Sequence, residues 1–194
     1  MPLDSLFLAV NSLARSTPWL HGPAAAYAVY GLVAFVPLLA IGWWRAGRAG
    51  ALAMAGVALV ALAALVAYGV QQAVVLLVAE PRPYAVHPDA LVLVGTTIDP
   101  SFPSDHACLA GALTAGLFLV DRRLGGAGAA LAVLLAADRV YVGAHWPLDV
   151  VAGLALGAAV AFAFVVVARR PAARLVARLE GTPLRPLVAA GAPA

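Results

Sequence analysis

Lysine is absent from this chain: all 12 basic residues are arginine. Charge of either sign is scarce, at 11% of 194 residues against 64% hydrophobic, with a mean hydropathy of +0.97. So little polar surface cannot coat a soluble domain of this size, which excludes a water-soluble enzyme and places the chain in lipid. The formal charge of +3 is scattered along the sequence, which excludes a nucleic-acid surface. The single cysteine, Cys108, lies in an apolar stretch. No disulfide framework or thiolate metal cluster is therefore available, and the thiol reads as a small buried packing group. The N-terminus lacks the basic start and small-residue cleavage pattern of a signal peptide. With no internal repeat, low-complexity tract or soluble linker, residues 1–194 read as one membrane domain.

What is present is long apolar sequence. A spanning helix needs about 20 mostly apolar residues, and five stretches qualify or nearly so: 24–44, 52–79, 104–120, 127–141 and 148–168. Ahead of them Leu3, Leu6, Phe7, Val10 and Leu13 recur at helical spacing, with Asp4, Asn11, Ser12 and Arg15 elsewhere on the wheel. This predicts an interfacial amphipathic helix over 3–16. The expected fold is an all-α polytopic membrane protein: five transmembrane helices in a bundle over 24–168, plus the N-terminal interfacial helix. The tail, 171–194, is Arg-dotted and then Pro/Ala-rich, as expected of a cytoplasmic amphipathic stretch followed by disorder. Gly153 and Gly157 form a small-xxx-small pattern that permits close helix contact.

Three polar islands interrupt the apolar sequence: Glu80-Pro81-Arg82-Pro83, Pro103-Ser104-Asp105-His106, and Asp138-Arg139 followed by His145 and Asp149. Ionisable groups embedded in a membrane are costly and mark function by default. With five alternating spans all three islands converge on one face. The opposite face collects Arg45, Arg48, Arg122, Arg123, Arg169, Arg170, Arg174, Arg178 and Arg185, nine of the 12 arginines. The positive-inside rule makes that face cytoplasmic and the island face extracytoplasmic, as expected of a protein of the inner, cytoplasmic membrane. Between Tyr84 and Ser101 a polar loop with an apolar patch at 90–94 is expected to lie beside the islands, dipping into the interface as a lid.

The islands contain what phosphoryl chemistry requires: positioned donors, a nucleophile or activated water, and an acid for the leaving oxygen. Arg82 and Arg139 supply planar donor forks that stay protonated. Ser104 stands where a helix begins, beside free N–H groups, and His106 is within one turn of it. His145 and Asp149 are four apart, a spacing that lets a carboxylate hold one imidazole nitrogen while the other attacks. Two histidines with two acids are also a potential metal set. Yet no His-Glu-x-x-His motif occurs, and two arginines would repel a cation, so no metal and no cofactor are expected.

Arg82-Pro83, then Pro103-Ser104-Asp105-His106, then Arg139 with His145 six residues on and Asp149 four further, resembles the three-part signature of the type-2 phosphatidic acid phosphatase superfamily of membrane lipid phosphatases. The resemblance implies a metal-independent, two-step reaction on a membrane lipid phosphate. His145 would form a phosphohistidine, Asp149 would orient it, and His106 would protonate the leaving oxygen and then activate water. Arg82, Ser104 and Arg139 would bind phosphate. Three positions depart from the family pattern. The lysine usual seven residues before Arg82 is Val75, with Gln71 or Gln72 as nearby replacements. The usual glycine between serine and histidine is Asp105. The usual serine before Arg139 is Asp138. Asp105 and Asp138 are expected to pair with Arg82 or Arg139 and aim them. The run Ser101 to Ala107 is similar to the bacterial undecaprenyl-diphosphate phosphatase subgroup, which implies a polyprenyl diphosphate substrate. Phosphatidic acid, phosphatidylglycerol phosphate or another lipid phosphate is the alternative, and a non-catalytic lipid-binding protein a further one, given the missing lysine.

Overall fold

The computed structural model describes residues 2–188, with side chains from Asp4 onward. Among the described residues it is helical and has no strand. The helices are α1 (Pro2–Ser16), α2 (His21–Tyr30), α3 (Phe35–Ala49), α4 (Ala51–Val75), α5 (Pro83–Val86), α6 (Asp105–Val120), α7 (Arg122–Tyr141), α8 (Pro147–Leu179) and α9 (Arg185–Val188). Four helical stretches are long and apolar enough to cross a membrane: Pro18–Ala49, Ala51–Val75, Arg122–Tyr141 and Pro147–Leu179. The chain is therefore a multi-pass membrane protein. α6 is apolar but has only 16 residues. It is about 24 Å long at 1.5 Å per residue, short of the roughly 30 Å hydrocarbon core.

Several boundaries differ from the sequence expectation for identifiable reasons. The first rod, Pro18–Ala49, includes a 3-10 turn at Gly31–Ala34. Pro37 lacks the N–H that would bond the carbonyl four residues back, and its ring crowds that carbonyl. α7 starts five residues earlier than expected because Asp121 caps it, accepting from the N–H groups of Arg123 at 2.8 Å and Leu124 at 3.3 Å. The first residues of the expected tail instead prolong α8, which runs through Pro171 to Leu179. Residues 189–194 of that tail lie outside the described residues.

The bundle centre is built by α4, α6, α7 and α8, with α6 packed most extensively on α8. Leu59, Ala63, Ala67, Cys108, Ala112, Ala161 and Val165 form one buried cluster there. Cys108 is wholly buried, its Sγ 3.5 Å from the Ala67 carbonyl. α6 and α8 approach so closely that a Cβ on Gly157 would overlap the Cys108 carbonyl, and one on Gly111 the Leu154 carbonyl.

α1 is a helix, but its buried face is Phe7, Asn11 and Ala14, while Leu6 and Leu13 are exposed. The Leu3 side chain lies outside the described residues. Asn11, expected on the polar side, is buried because its amide bonds the Leu91 backbone twice, Nδ2 to the carbonyl at 2.8 Å and Oδ1 from the N–H at 3.0 Å. Asp4 pairs with His87 at 2.8 Å, and Arg15 donates to the Asp89 carbonyl. α1 thereby straps the segment after α5 against the bundle. That segment is secured again by the Leu93 N–H donating to the Val142 carbonyl at 3.0 Å. Gly143 allows this approach: its φ is +79° and a Cβ would meet the Leu91 carbonyl.

The two ends of the bundle differ. At one, Arg45 pairs with Asp121 at 2.6 Å and Arg169 donates to the Leu52 carbonyl at 3.2 Å. The three islands meet at the other.

Candidate active site

The site is assembled where α4 ends, α6 and α8 begin, and α7 ends. Its backbone frame is two long-range hydrogen bonds: Ser104 N–H to the Asp149 carbonyl at 3.1 Å, and Ser101 N–H to the Glu80 carbonyl at 2.8 Å. The former joins the second island to the third, and the latter ties the residues just ahead of the second island to the first island. Ser101, Ser104, Arg139, His145 and Asp149 are each under 10% exposed, so bulk water contributes little to satisfying their polar atoms.

His145 is 1% exposed and Asp149 0%. Nδ1 of His145 lies 3.0 Å from the Ser101 carbonyl, 3.3 Å from Ser101 Oγ and 3.4 Å from Asp149 Oδ2. With a carbonyl and a carboxylate beside it, Nδ1 carries the proton and Nε2 the lone pair. Ser101 Oγ donates to Asp149 Oδ2. The same oxygen accepts the Trp146 N–H at 2.8 Å, reaching back to the cap of α8 as a carboxylate at the third helical position does. Ser101 is thus a functional-site residue that the island pattern did not single out. Its signal was its place three residues ahead of Ser104 in the same run, but only folding brings it onto Asp149.

His145 lies on the turn between α7 and α8, and burial pushes its imidazolium below the usual value near 6.5. Asp149 opposes that shift through its hydrogen bond, while the charges of Arg139 and Arg82 add to it. The resting imidazole is accordingly neutral. Burial, reinforced by the charge of Asp149, pushes the Glu80 carboxyl up.

Arg82 places NH1 3.4 Å from His145 Nε2 and 3.1 Å from the Ala144 carbonyl, and donates Nε to the Asp99 carbonyl at 3.0 Å. Carbonyls from two separate segments thus aim one guanidinium at Nε2 of His145. Arg139 is 8% exposed, donates NH1 to the Ala28 carbonyl at 3.3 Å and leaves its Nε without a partner. Ser104 is fully buried with Oγ unpartnered.

The remaining expected residues are distributed differently. Neither Asp105 nor Asp138 lies within ion-pair distance of Arg82 or Arg139. Asp105 turns to its neighbour instead, its Oδ1 accepting the His106 N–H at 2.7 Å and lying 2.9 Å from His106 Nδ1. The first helical turn of α6 leaves those donors free and within reach of a carboxylate one residue back. Asp138 is among the residues lining an apolar groove of about 790 Å³, with Leu6, Tyr27, Pro147 and Val151, and its buried Oδ2 has no partner. Helical geometry puts adjacent residues about 100° apart, so Asp138 and Arg139 face different ways. Gln71 is buried and donates Nε2 to the Pro103 carbonyl at 2.8 Å, bracing the turn before Ser104. Gln72 is exposed. A second cavity of about 880 Å³ is lined by Arg82 with Glu80, Tyr84, Thr97 and Asp99.

A bundle of apolar helices ending in a buried, carboxylate-backed histidine with an arginine at its Nε2 defines a polytopic membrane protein with a candidate anion site. The PAP2 superfamily profile matches residues 56–172, well over half the chain. YbjG of Escherichia coli (strain K12), whose name provisionally assigns it undecaprenyl-diphosphatase activity, is 34% identical over 155 residues, 79% of this chain and 76% of that protein. Undecaprenyl-diphosphatase BcrC of Bacillus subtilis (strain 168) is 26% identical over 159 residues, 82% and 80% of the two chains. A lipid A 1-phosphatase of Rhizobium johnstonii is 50% identical over 58 residues, covering 30% of this chain and 24% of its own. No solved structure matches. The chain belongs to the PAP2 superfamily and is a membrane enzyme of the phosphatase class.

Proposed function

We propose that this protein hydrolyses a polyprenyl diphosphate of the undecaprenyl type to its monophosphate at the extracytoplasmic face of the cytoplasmic membrane, through a phosphohistidine on His145. The observation that carries this reading is the His145 arrangement: a neutral imidazole whose Nδ1–H is held by Ser101 and Asp149 while Nε2 faces Arg82. An imidazole so held is a nucleophile in a fixed tautomer. The relatives named undecaprenyl-diphosphatase over most of their length support the substrate class.

In the first step Nε2 attacks the terminal phosphorus and the P–O bond to the leaving lipid phosphate breaks. The bonding pair goes to the leaving oxygen, which His106 protonates. Arg82, Arg139 and Ser104 take the non-bridging oxygens. The unpartnered Arg139 Nε and Ser104 Oγ are donors that an anion satisfies. In the second step water attacks phosphorus, His106 takes a proton from it, and the P–N bond pair returns to Nε2. Asp149 stabilises the charged imidazole between the steps.

Five crossings with α6 as the short third span, α1 in the interface, and the nine-arginine face in the cytoplasm together give the extracytoplasmic orientation. A short span ending in catalytic residues sets the chemistry just inside the boundary, within reach of a lipid headgroup.

The 50% identity to a lipid A 1-phosphatase across 58 residues favours a second reading, in which the same machinery acts on another lipid phosphate. One experiment decides between them. Purified protein in detergent, with chelator present, is given polyprenyl diphosphate, phosphatidic acid, phosphatidylglycerol phosphate and lipid A, with His145→Ala alongside. The proposal expects the fastest phosphate release from polyprenyl diphosphate and none from the variant. Release that persists in His145→Ala, or that stops with the chelator, refutes the mechanism, and preference for another lipid establishes the second reading.

A further inference from the structure

The contact between Asp105 and His106 gives the site a second carboxylate-imidazole pair. Oδ1 of Asp105 is anchored by the His106 backbone N–H at 2.7 Å and lies 2.9 Å from Nδ1 of the same residue. The anchoring matters, because it fixes the carboxylate oxygen relative to the ring it serves. Among the described residues His106 Nε2 has no hydrogen-bond partner, and the ring is about a quarter exposed. Arg139 from α7 and His145 from the turn before α8 lie within electrostatic range of the Asp105 carboxylate. The pair therefore belongs to the same electrostatic neighbourhood as His145. The site holds two imidazoles, each with Nδ1 engaged by a carboxylate and Nε2 left to act.

We infer that Asp105 is the positioning residue for His106, holding its Nδ1–H so that the Nε2 lone pair is presented to the water that cleaves the phosphohistidine. This rests on the phosphohistidine reading of His145. In the balanced step, the water oxygen forms a bond to phosphorus, its proton passes to His106 Nε2, and the P–N bond pair returns to His145 Nε2. Asp105 accepts from Nδ1 throughout and stabilises the imidazolium that results. Without it the ring is free to rotate and to take the other tautomer, which places a proton on Nε2 where a lone pair is needed. A carboxylate in the first turn of α6 also interacts favourably with the helix N-terminus. That contribution concerns folding alone and does not distinguish one chemical step from another.

The two steps separate with p-nitrophenyl phosphate, whose phenolate leaves without protonation, so that only the water step calls on His106. Rapid-quench traces are compared for wild type, Asp105→Ala, His106→Ala, the double variant and His145→Ala, with thermal midpoints in detergent recorded for each. In Asp105→Ala the first turnover should remain fast while the steady state falls about 10–100-fold, giving a burst of one nitrophenolate per site and an accumulating acid-labile phosphoenzyme. The double variant should be no slower than His106→Ala, since residues acting through one group are not additive. The inference is overturned if Asp105→Ala turns over like wild type, if burst and steady state fall together, or if the double variant shows the product of the two single losses. Activity in His145→Ala would instead overturn the reading beneath it.

Discussion

Replacing Ser101 by alanine removes one hydroxyl at the centre of the site and leaves the backbone carbonyl that also holds His145. Ser101 Oγ donates to Asp149 Oδ2 and lies 3.3 Å from His145 Nδ1, with Ser101 and Asp149 at 1% and 0% exposure. Asp149 Oδ1 already lacks a partner, so after the substitution the carboxylate keeps only the Trp146 N–H on Oδ2 and the more distant imidazole. A hydrogen bond to a charged group contributes about 1.5–3 kcal/mol. Felt in the transition state, at about 1.4 kcal/mol per decade, this corresponds to roughly a 10- to 150-fold loss in kcat. KM should change little, because the hydroxyl is directed at the carboxylate rather than at the phosphate. The assay is steady-state phosphate release from polyprenyl diphosphate in micelles, with Asp149→Ala as the larger loss for comparison. A folded Ser101→Ala protein within twofold of wild-type turnover would refute the reasoning. It would show that the Ser101 carbonyl alone fixes the ring.

The pH dependence follows from the burial of His145. Its imidazolium is disfavoured in the folded protein relative to the usual value near 6.5, so the folded state binds fewer protons than the unfolded one as pH falls past that value. The contribution to stability is present above pH 6.5 and is lost as pH drops through the window below it; the acidic limb of kcat/KM should lie below 6.5, and a limb above it would contradict the burial argument. For packing, Gly157→Ala forces a Cβ into the Cys108 carbonyl, whereas Gly126→Ala on α7 meets nothing within 4 Å. The first should destabilise by about 1–3 kcal/mol and the second by nothing, or should stabilise; equal melting temperatures would refute the close α6–α8 contact.

Much of the site was legible because its chemistry is confined to islands in an apolar chain. Arg82, Arg139, His145 and Asp149 stand out against lipid-facing sequence for the energetic reason that such groups are not carried idly in a membrane. The four-residue interval between His145 and Asp149 announced a contact that the structure realises at 3.4 Å. Partnerships across the chain were less visible. Asp105 and Asp138 looked like matched counter-ions for two arginines. Which way each points depends on helix phase, and the phase is set by caps and by packing on other helices. Asn11 illustrates the same limit in α1: a polar side chain reads as solvent-facing until a backbone segment 80 residues away supplies its hydrogen bonds.

Composition and spacing by themselves determined that the chain is helical and membrane-embedded, and that its three polar islands gather at one end. Those conclusions rest on transfer energies and on the period of a helix, which are local properties. Tertiary structure alone decided that Ser101 completes the His145–Asp149 pair, that Asp105 serves His106, that Gln71 braces the Pro103 carbonyl, and that α1 straps the connecting segment in place. Each depends on groups distant in sequence, or on side-chain orientation that is settled only when helices pack and every buried polar atom seeks a partner.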